Sequence, residues 1–258
     1  MPTAPPVKLY SSYDFETVDL HVKWMKEYGI KGLCLQRQQN IIDDDKTRAW
    51  RDQVAQHVRK ACEKYGVHFL IMPCNNAKSE KQNENVVERF KADWTHLVDD
   101  LKITESPMYA RQEDKPVVII WGLGFANRPL TPREATAIID FFKDSPEPYR
   151  AYLAGGVQRG FLNYSGAGNS SGDWLAVYDK LDMITPWRGV QIINSDNARE
   201  TTVNTLTAEK KWCDQRQIEY LPVIFAGASA SGTKGSSPNN IPRLGGQYYW
   251  NQLRHPHQ

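Results

Sequence analysis

The sequence lacks any dominance of one charge: 32 Lys and Arg stand against 30 Asp and Glu, a formal net charge of +2. That balance gives no reason to expect nucleic acid or an anionic membrane surface as a partner. No apolar run approaches the roughly 18–20 residues that a membrane span requires. The N-terminus, Met1 to Lys8, is rich in proline and has no basic-then-apolar leader. The expectation is a cytoplasmic chain or a secreted one whose leader has been removed. Cysteine is scarce: Cys34, Cys62, Cys74 and Cys213 are four in all, and no two have the C-x2-C spacing of a zinc site. They read as buried, reduced thiols, since a disulfide framework belongs to much smaller chains. His21, His57 and His96 fall on expected helices, and neither H-E-x-x-H nor a His/Asp ligand cluster occurs, so no metal is expected. No G-x-G-x-x-G follows a strand; Gly122-Leu123-Gly124 lacks the third glycine, which argues against a dinucleotide cofactor. Ser229 and Ser231 lack the G-x-S-x-G elbow of a serine hydrolase.

What is present is length, aromatics and a repeated unit. The 258 residues suit one domain over 1–258. The 8 Trp and 12 Tyr offer rings with an apolar face and a polar edge, useful on sugars and equally at home in a core. Along the chain, an amphipathic helix, a short apolar strand and a polar loop recur. Helices are expected from Asp14 to Gly29, Thr47 to Tyr65, Glu84 to Leu101, from Thr131-Pro132 onward, Asp173 to Lys180 and Val203 to Gln217. The strands are Gly32–Leu35, His68–Met72, Pro116–Trp121, Tyr149–Leu153, Asp182–Thr185 and Tyr220–Phe225. Strands apolar on both faces and alternating with helices are parallel and covered on both sides. The fold class is therefore α/β; an open doubly wound sheet and a TIM-type (β/α) barrel both fit, and the missing G-x-G-x-x-G favours the barrel. Six clear β/α units are counted where a closed barrel has eight, so the barrel reads as incomplete. Open strand edges would then be covered by loops or by a second copy in a homo-oligomer.

Several segments together resemble one family. They are the helix Thr17 to Ile30, the strand end Leu35-Gln36-Arg37, Asp93-Trp94, the run Lys115 to Phe125, Pro186-Trp187, and Ile241 to Gly246. In this order they resemble the glycoside hydrolase family 71/99-like proteins, which are related to the endo-α-mannosidases. The resemblance spans about Tyr10 to Leu253 and implies a (β/α)8 barrel acting on or binding a polysaccharide or glycan, with no cofactor. Two parts of the family pattern have no counterpart here: an aromatic-rich first strand, and a late strand ending in an acidic motif that carries the catalytic carboxylates. Loops differ as well. Pro73-Cys74-Asn75-Asn76 stands where the family has an aspartate-containing turn, and Phe225 to Gly232 is small and polar where the family has aromatics and a histidine. The resemblance thus implies an O-glycosyl hydrolase if the chain is active, and otherwise a sugar-binding or structural descendant without catalysis, or a product completed by oligomerisation.

Glycoside hydrolysis needs two carboxyl groups flanking the bond. Asp43, Asp44 and Asp45 lie beyond a strand end and read as a solvated loop. Asp182 begins a strand, at the end away from a barrel active site. Asp196 and Glu200 lie in a polar segment after Trp187, on the active-site side. These three are the catalytic candidates, and no two form a convincing pair. Substrate-binding candidates are Gln36, Arg37, Asn75, Asn76, Trp121, Trp187 and Arg243. Gln36 and Arg37 end a strand, where they would meet hydroxyls or close the barrel top as a buried network. Trp121 and Trp187 would stack on a pyranose or pack in the core. Asn75 and Asn76 suit amide hydrogen bonds or a turn, and Arg243 suits substrate binding or loop stapling.

Overall fold

The computed structural model describes residues 10–162, 172–187, 195–227 and 242–253, without the side chains of 195–203 and 251–253. Eight helices are described: α1 Phe15–Glu27, α2 Asp45–Tyr65, α3 Glu80–Asn83, α4 Val86–Asp99, α5 Pro132–Asp144, α6 Asp173–Tyr178, α7 Ser195–Asp214 and α8 Gln247–Leu253. Seven strands accompany them: β1 Gly32–Gln38, β2 His68–Cys74, β3 Arg111–Gln112, β4 Lys115–Leu123, β5 Tyr152–Gln158, β6 Met183–Trp187 and β7 Glu219–Tyr220. The alternation of strand and helix follows the apolar periodicity of the sequence and is α/β.

The chain divides into two compact units. The first holds Met1–Asn76, Lys81–Ile119 and Asp140–Tyr152; the second holds Ala77–Glu80, Ile120–Ile139 and Leu153–Gln258. In the first, the strand order is β1-β2-β4, with β1 and β2 parallel in the register Gln36↔Met72 and Arg37↔Pro73. The short β3 pairs antiparallel to β4 across Glu113 and Asp114, which both take the positive φ that a tight hairpin turn demands. The core of this unit gathers Val54, Val58, Phe69, Ile71, Phe90, Trp94, Tyr109 and Phe142. Trp94 adds a polar tie, its indole Nε1 donating to the Tyr149 carbonyl at 2.8 Å.

In the second unit the order is β4-β5-β6-β7, with β5, β6 and β7 parallel. Ala154, Val157, Phe161, Trp174, Tyr178, Ile184 and Cys213 are buried there. The Thr131-Pro132 start of α5 is a reciprocal capping box. The Glu134 N–H donates to Thr131 Oγ1 at 3.3 Å, and the Thr131 N–H donates to Glu134 Oε2 at 2.8 Å. Gly124, with φ +74, turns the chain out of β4, and a Cβ there would collide with the Tyr178 hydroxyl.

Four expectations shift. The fourth expected strand, Tyr149–Leu153, lies at Tyr152–Gln158, because Gly155 and Gly156 sit inside the strand and do not end it. Neighbouring side chains fill the space that these glycines leave. The sixth ends at Tyr220 and does not reach Phe225: Pro222 lacks the N–H that would continue the ladder. Helix α7 begins at Ser195, eight residues before the expected Val203. Cys34 is exposed, whereas Cys62, Cys74 and Cys213 are buried, and all four are free. The alternation of β1 explains the difference: Leu35 and Arg37 lie on one face, Cys34 and Gln36 on the more exposed other.

Candidate functional site

At the carboxyl ends of β1 and β2, Arg37 is buried to 1% exposure. Its guanidinium grips Asp93 of α4, Nε lying 2.9 and 2.8 Å from the two carboxylate oxygens and one terminal nitrogen 2.7 Å from Oδ1. The same terminal nitrogen meets Asp52 of α2 at 2.8 Å. Gln39 also donates to Asp93 Oδ2 at 2.7 Å, and His96 bridges Asp52 at 2.8 Å and Asp100 at 2.6 Å. Burial acts to lower the affinity of both cations for their protons. The surrounding carboxylates outweigh it, so the Arg37 and His96 pKa values both rise. This is a network that locks β1 to α2 and α4, the buried alternative of the two roles considered for Arg37.

Asn75 is likewise buried, donating to Asn83 Oδ1 at 2.6 Å, and the Asn76 amide lies 3.5 Å from Cys74 Sγ. Both asparagines shape the chain leaving β2. Gln36 is exposed on the opposite face of β1 from Arg37, with no side-chain partner among the described residues.

Aromatic rings meet in the second unit. Trp121 near the end of β4 and Trp187 at the end of β6 have centroids 4.9 Å apart at an interplanar angle of 70°. Phe125 packs edge-on to Trp121 at 5.0 Å, and the Arg128 guanidinium lies 5.7 Å from the Phe125 ring. The strand between them, β5, makes this meeting feasible. A Cβ on Gly156 would lie 2.5 Å from Trp121 Cε3 and 3.1 Å from its Cα. Only glycine lets the indole lie across β5 toward β6. A Cβ on Gly155 would instead strike Leu181, which identifies the face opposite the tryptophans.

Alternation then places Gln158 on the tryptophan face, two residues after Gly156, in register with Trp187; Thr185 stands in register with Gly156 on the same face. The Arg159 N–H donates to the Trp187 carbonyl at 3.2 Å and fixes the chain as it leaves β5. Trp187 is 44% exposed, and Gln158 is half-buried. Neither indole N–H, nor the Gln158 amide, nor the Thr185 hydroxyl has a hydrogen-bond partner among the described residues. The face therefore combines an accessible ring with polar edges that no described side chain occupies.

The acids are placed elsewhere. Asp182 precedes β6, and its Oδ2 accepts from the Leu153 N–H at 2.8 Å, at the amino ends of β5 and β6. This is a strand-tying role at the end away from Trp187. Asp43 pairs with Arg89 at 2.9 Å, Asp44 caps α2 by accepting from the Thr47 N–H at 2.7 Å, and Asp45 pairs with Arg48 at 2.6 Å. Asp196 and Glu200 lie on the first turns of α7, where their side chains fall outside the described residues. Arg243 is exposed just before a short turn, and its carbonyl accepts from the Gly246 N–H at 2.9 Å. The sequence did not single out Glu209, which is 1% exposed and accepts from the Gly160 N–H and the Tyr220 hydroxyl, each at 2.6 Å. Nor did it single out Gln158 and Thr185. Their signal was the Gly-Gly pair, which would have revealed them had the strand been continued through it. Among the described residues no group of three His, Cys, Asp or Glu is arranged to hold a metal, and no helix is long and apolar enough to cross a membrane.

Neither a family model nor a curated protein sequence matches this chain. Solved structures do. The GH99 endo-α-mannosidase from Bacteroides thetaiotaomicron matches with TM-score 0.66 at 14% identity, over 95% of this chain and 64% of that one. A second structure of that enzyme, in complex with bis-tris-propane, gives TM-score 0.66 at 14% identity over 95% of this chain and 67% of that one. A glycoside hydrolase-like protein gives TM-score 0.59 at 12% identity over 89% of this chain and 68% of that one. The chain thus spans about two thirds of the length of the structures it matches. At these identities the likeness is one of fold. The protein has a glycoside hydrolase-like, 71/99-type (β/α) barrel fold, as the sequence motifs implied.

Proposed function

We propose that this chain is a single barrel-type domain that binds a polysaccharide or glycan, with Trp121 and Trp187 as its stacking platform. The observation that carries this reading is the pair of tryptophans meeting at 4.9 Å across Gly156, with Trp187 open to solvent. A pyranose presents a patch of C–H groups on one face and hydroxyls around its rim. An accessible indole takes the first, and amide, hydroxyl and indole N–H groups without a described partner take the second. Carboxyl ends of strands are where barrels of this kind place their ligands.

Binding is better supported than hydrolysis. Cleavage needs a protonated and an ionised carboxyl group about 5–9.5 Å apart. The tryptophan face of β5 and β6 carries Gly156, Gln158, Thr185 and Trp187, none of them acidic. Asp196 and Glu200 are the acids that a hydrolytic reading would use, and that reading stands second. The test measures thermal shift and released reducing sugar together, on this chain with cellohexaose, laminarihexaose, maltohexaose and nigerotetraose. A shift without release, lost in Trp187→Ala, is the expected result. Release that disappears in Asp196→Asn or Glu200→Gln would establish hydrolysis instead. No shift with any of the four would overturn the sugar-binding reading.

A further inference from the structure

We infer that Gln158 is the specificity-determining residue of this platform, and that it selects rings carrying two adjacent free hydroxyls. The inference rests on the sugar-binding reading of the tryptophan pair and deepens it. Gln158 ends β5, one register step across from Trp187 and on the face that Gly156 keeps clear for Trp121. A sugar stacked on the exposed Trp187 ring therefore lies beside the Gln158 amide.

Three features suit that amide to a diol. It has no hydrogen-bond partner among the described residues, and it is half-buried with its polar atoms still open to solvent. An amide with no internal partner can exchange water for a ligand without breaking a hydrogen bond of the protein. The amide presents one acceptor and a pair of donors side by side in one plane. Two neighbouring hydroxyls, one donating and one accepting, match that pattern with two parallel hydrogen bonds, whereas an isolated hydroxyl engages only one. Its strand is also fixed: the Arg159 N–H donates to the Trp187 carbonyl at 3.2 Å. The amide's reach relative to the ring is thereby set by backbone pairing and not by a loop.

The chemical class follows from linkage. An internal 1,4-linked glucose keeps the 2- and 3-hydroxyls free and adjacent. An internal 1,3-linked glucose keeps the 2- and 4-hydroxyls, which are not neighbours. The platform is therefore selective for 1,4-linked over 1,3-linked chains of the same sugar.

Calorimetry on the full chain with cellohexaose against laminarihexaose, and with maltohexaose against nigerotetraose, tests this directly. The 1,4-linked member of at least one pair is expected to bind about tenfold more tightly, the worth of one further hydrogen bond. Gln158→Ala and the similarly shaped Gln158→Met should each abolish the difference between the linkages, weakening the 1,4-linked sugars more than the 1,3-linked ones. Equal affinities within both pairs, or a preference that survives both substitutions, would overturn the role of Gln158 while leaving sugar binding intact. Absence of binding to all four, with native circular dichroism, would overturn both readings together. Trp187→Ala separates them further, since it should weaken both linkages alike.

Discussion

The Arg37 guanidinium and the Asp93 carboxylate form a buried pair with three nitrogen–oxygen contacts between 2.7 and 2.9 Å, both side chains being at most 3% exposed. At that burial the pair is worth little as a net gain, but its disruption is expensive, because it leaves the guanidinium with Asp52 as its one remaining carboxylate in a poorly solvated site. Asp93→Ala should destabilise the protein by about 3–5 kcal/mol in urea unfolding. The double replacement Arg37→Met with Asp93→Leu should recover most of that loss. A cost below about 1 kcal/mol for Asp93→Ala would mean that the guanidinium is satisfied some other way.

Periodicity made most of this architecture legible. The apolar runs at Gly32, His68, Pro116 and Met183 became the strands β1, β2, β4 and β6. Trp121 and Trp187, whose rings meet at 4.9 Å, were also legible as strand-end aromatics, since each closes an apolar run. What escaped was pairing at a distance. Nothing local marks Asp93 and Asp52 as partners of Arg37, which precedes Asp93 by 56 residues. Gln158 escaped for a different reason. The two glycines before it read as the end of a strand, although their role is to admit the Trp121 and Leu181 side chains.

His96 should give stability a measurable pH dependence. Burial works to lower its pKa, and the hydrogen bonds to Asp52 and Asp100 more than compensate, so the folded value lies above the unfolded one. The imidazolium therefore contributes stability that is complete below the unfolded pKa, about 6.5, and fades as pH rises through the folded value. Its groove also holds Glu88, Lys91 and Asp99; Lys91 pairs with Glu88 at 3.0 Å and Asp99 accepts from the Tyr149 hydroxyl at 2.9 Å. Unfolding free energy should fall between about pH 6 and 8 in the wild type and flatten in His96→Gln. Identical slopes for the two proteins would assign the pH dependence to other groups.

The space above Gly156 sets the position of Trp121. An added methyl would approach the Trp121 Cα at 3.1 Å, and a backbone atom cannot rotate away as a side-chain tip can. Gly156→Ala should therefore cost about 1–3 kcal/mol, the usual price of overpacking. Tryptophan fluorescence should also move to the red as the Trp121–Trp187 contact opens. Gly155→Ala on the opposite face, where a Cβ would meet the Leu181 side chain, should be similarly destabilising but leave the emission in place. A red shift in both variants would point to general loosening instead of a local displacement of the indole.

Access distinguishes one cysteine from three, although desolvation by the surrounding chain raises the Cys34 pKa as well. Cys34 is exposed on β1, while Cys62, Cys74 and Cys213 are buried. Burial pushes the Cys62 and Cys213 thiols up to about 12, with Glu63 adding to the effect on the first and Glu209 on the second. The thiolate is the reacting species, so at pH 8 these two are protonated as well as inaccessible. Native protein treated with iodoacetamide should take up one label quickly, at Cys34 by peptide mass mapping, and the remaining three only on unfolding. Cys34→Ser should abolish the fast phase without altering the unfolding midpoint, because its side chain lies on the more open face of β1. Fast labelling at Cys62 or Cys213 in the native protein would show that the helices α2 and α7 open locally on that timescale, and the label would report that opening in place of static exposure.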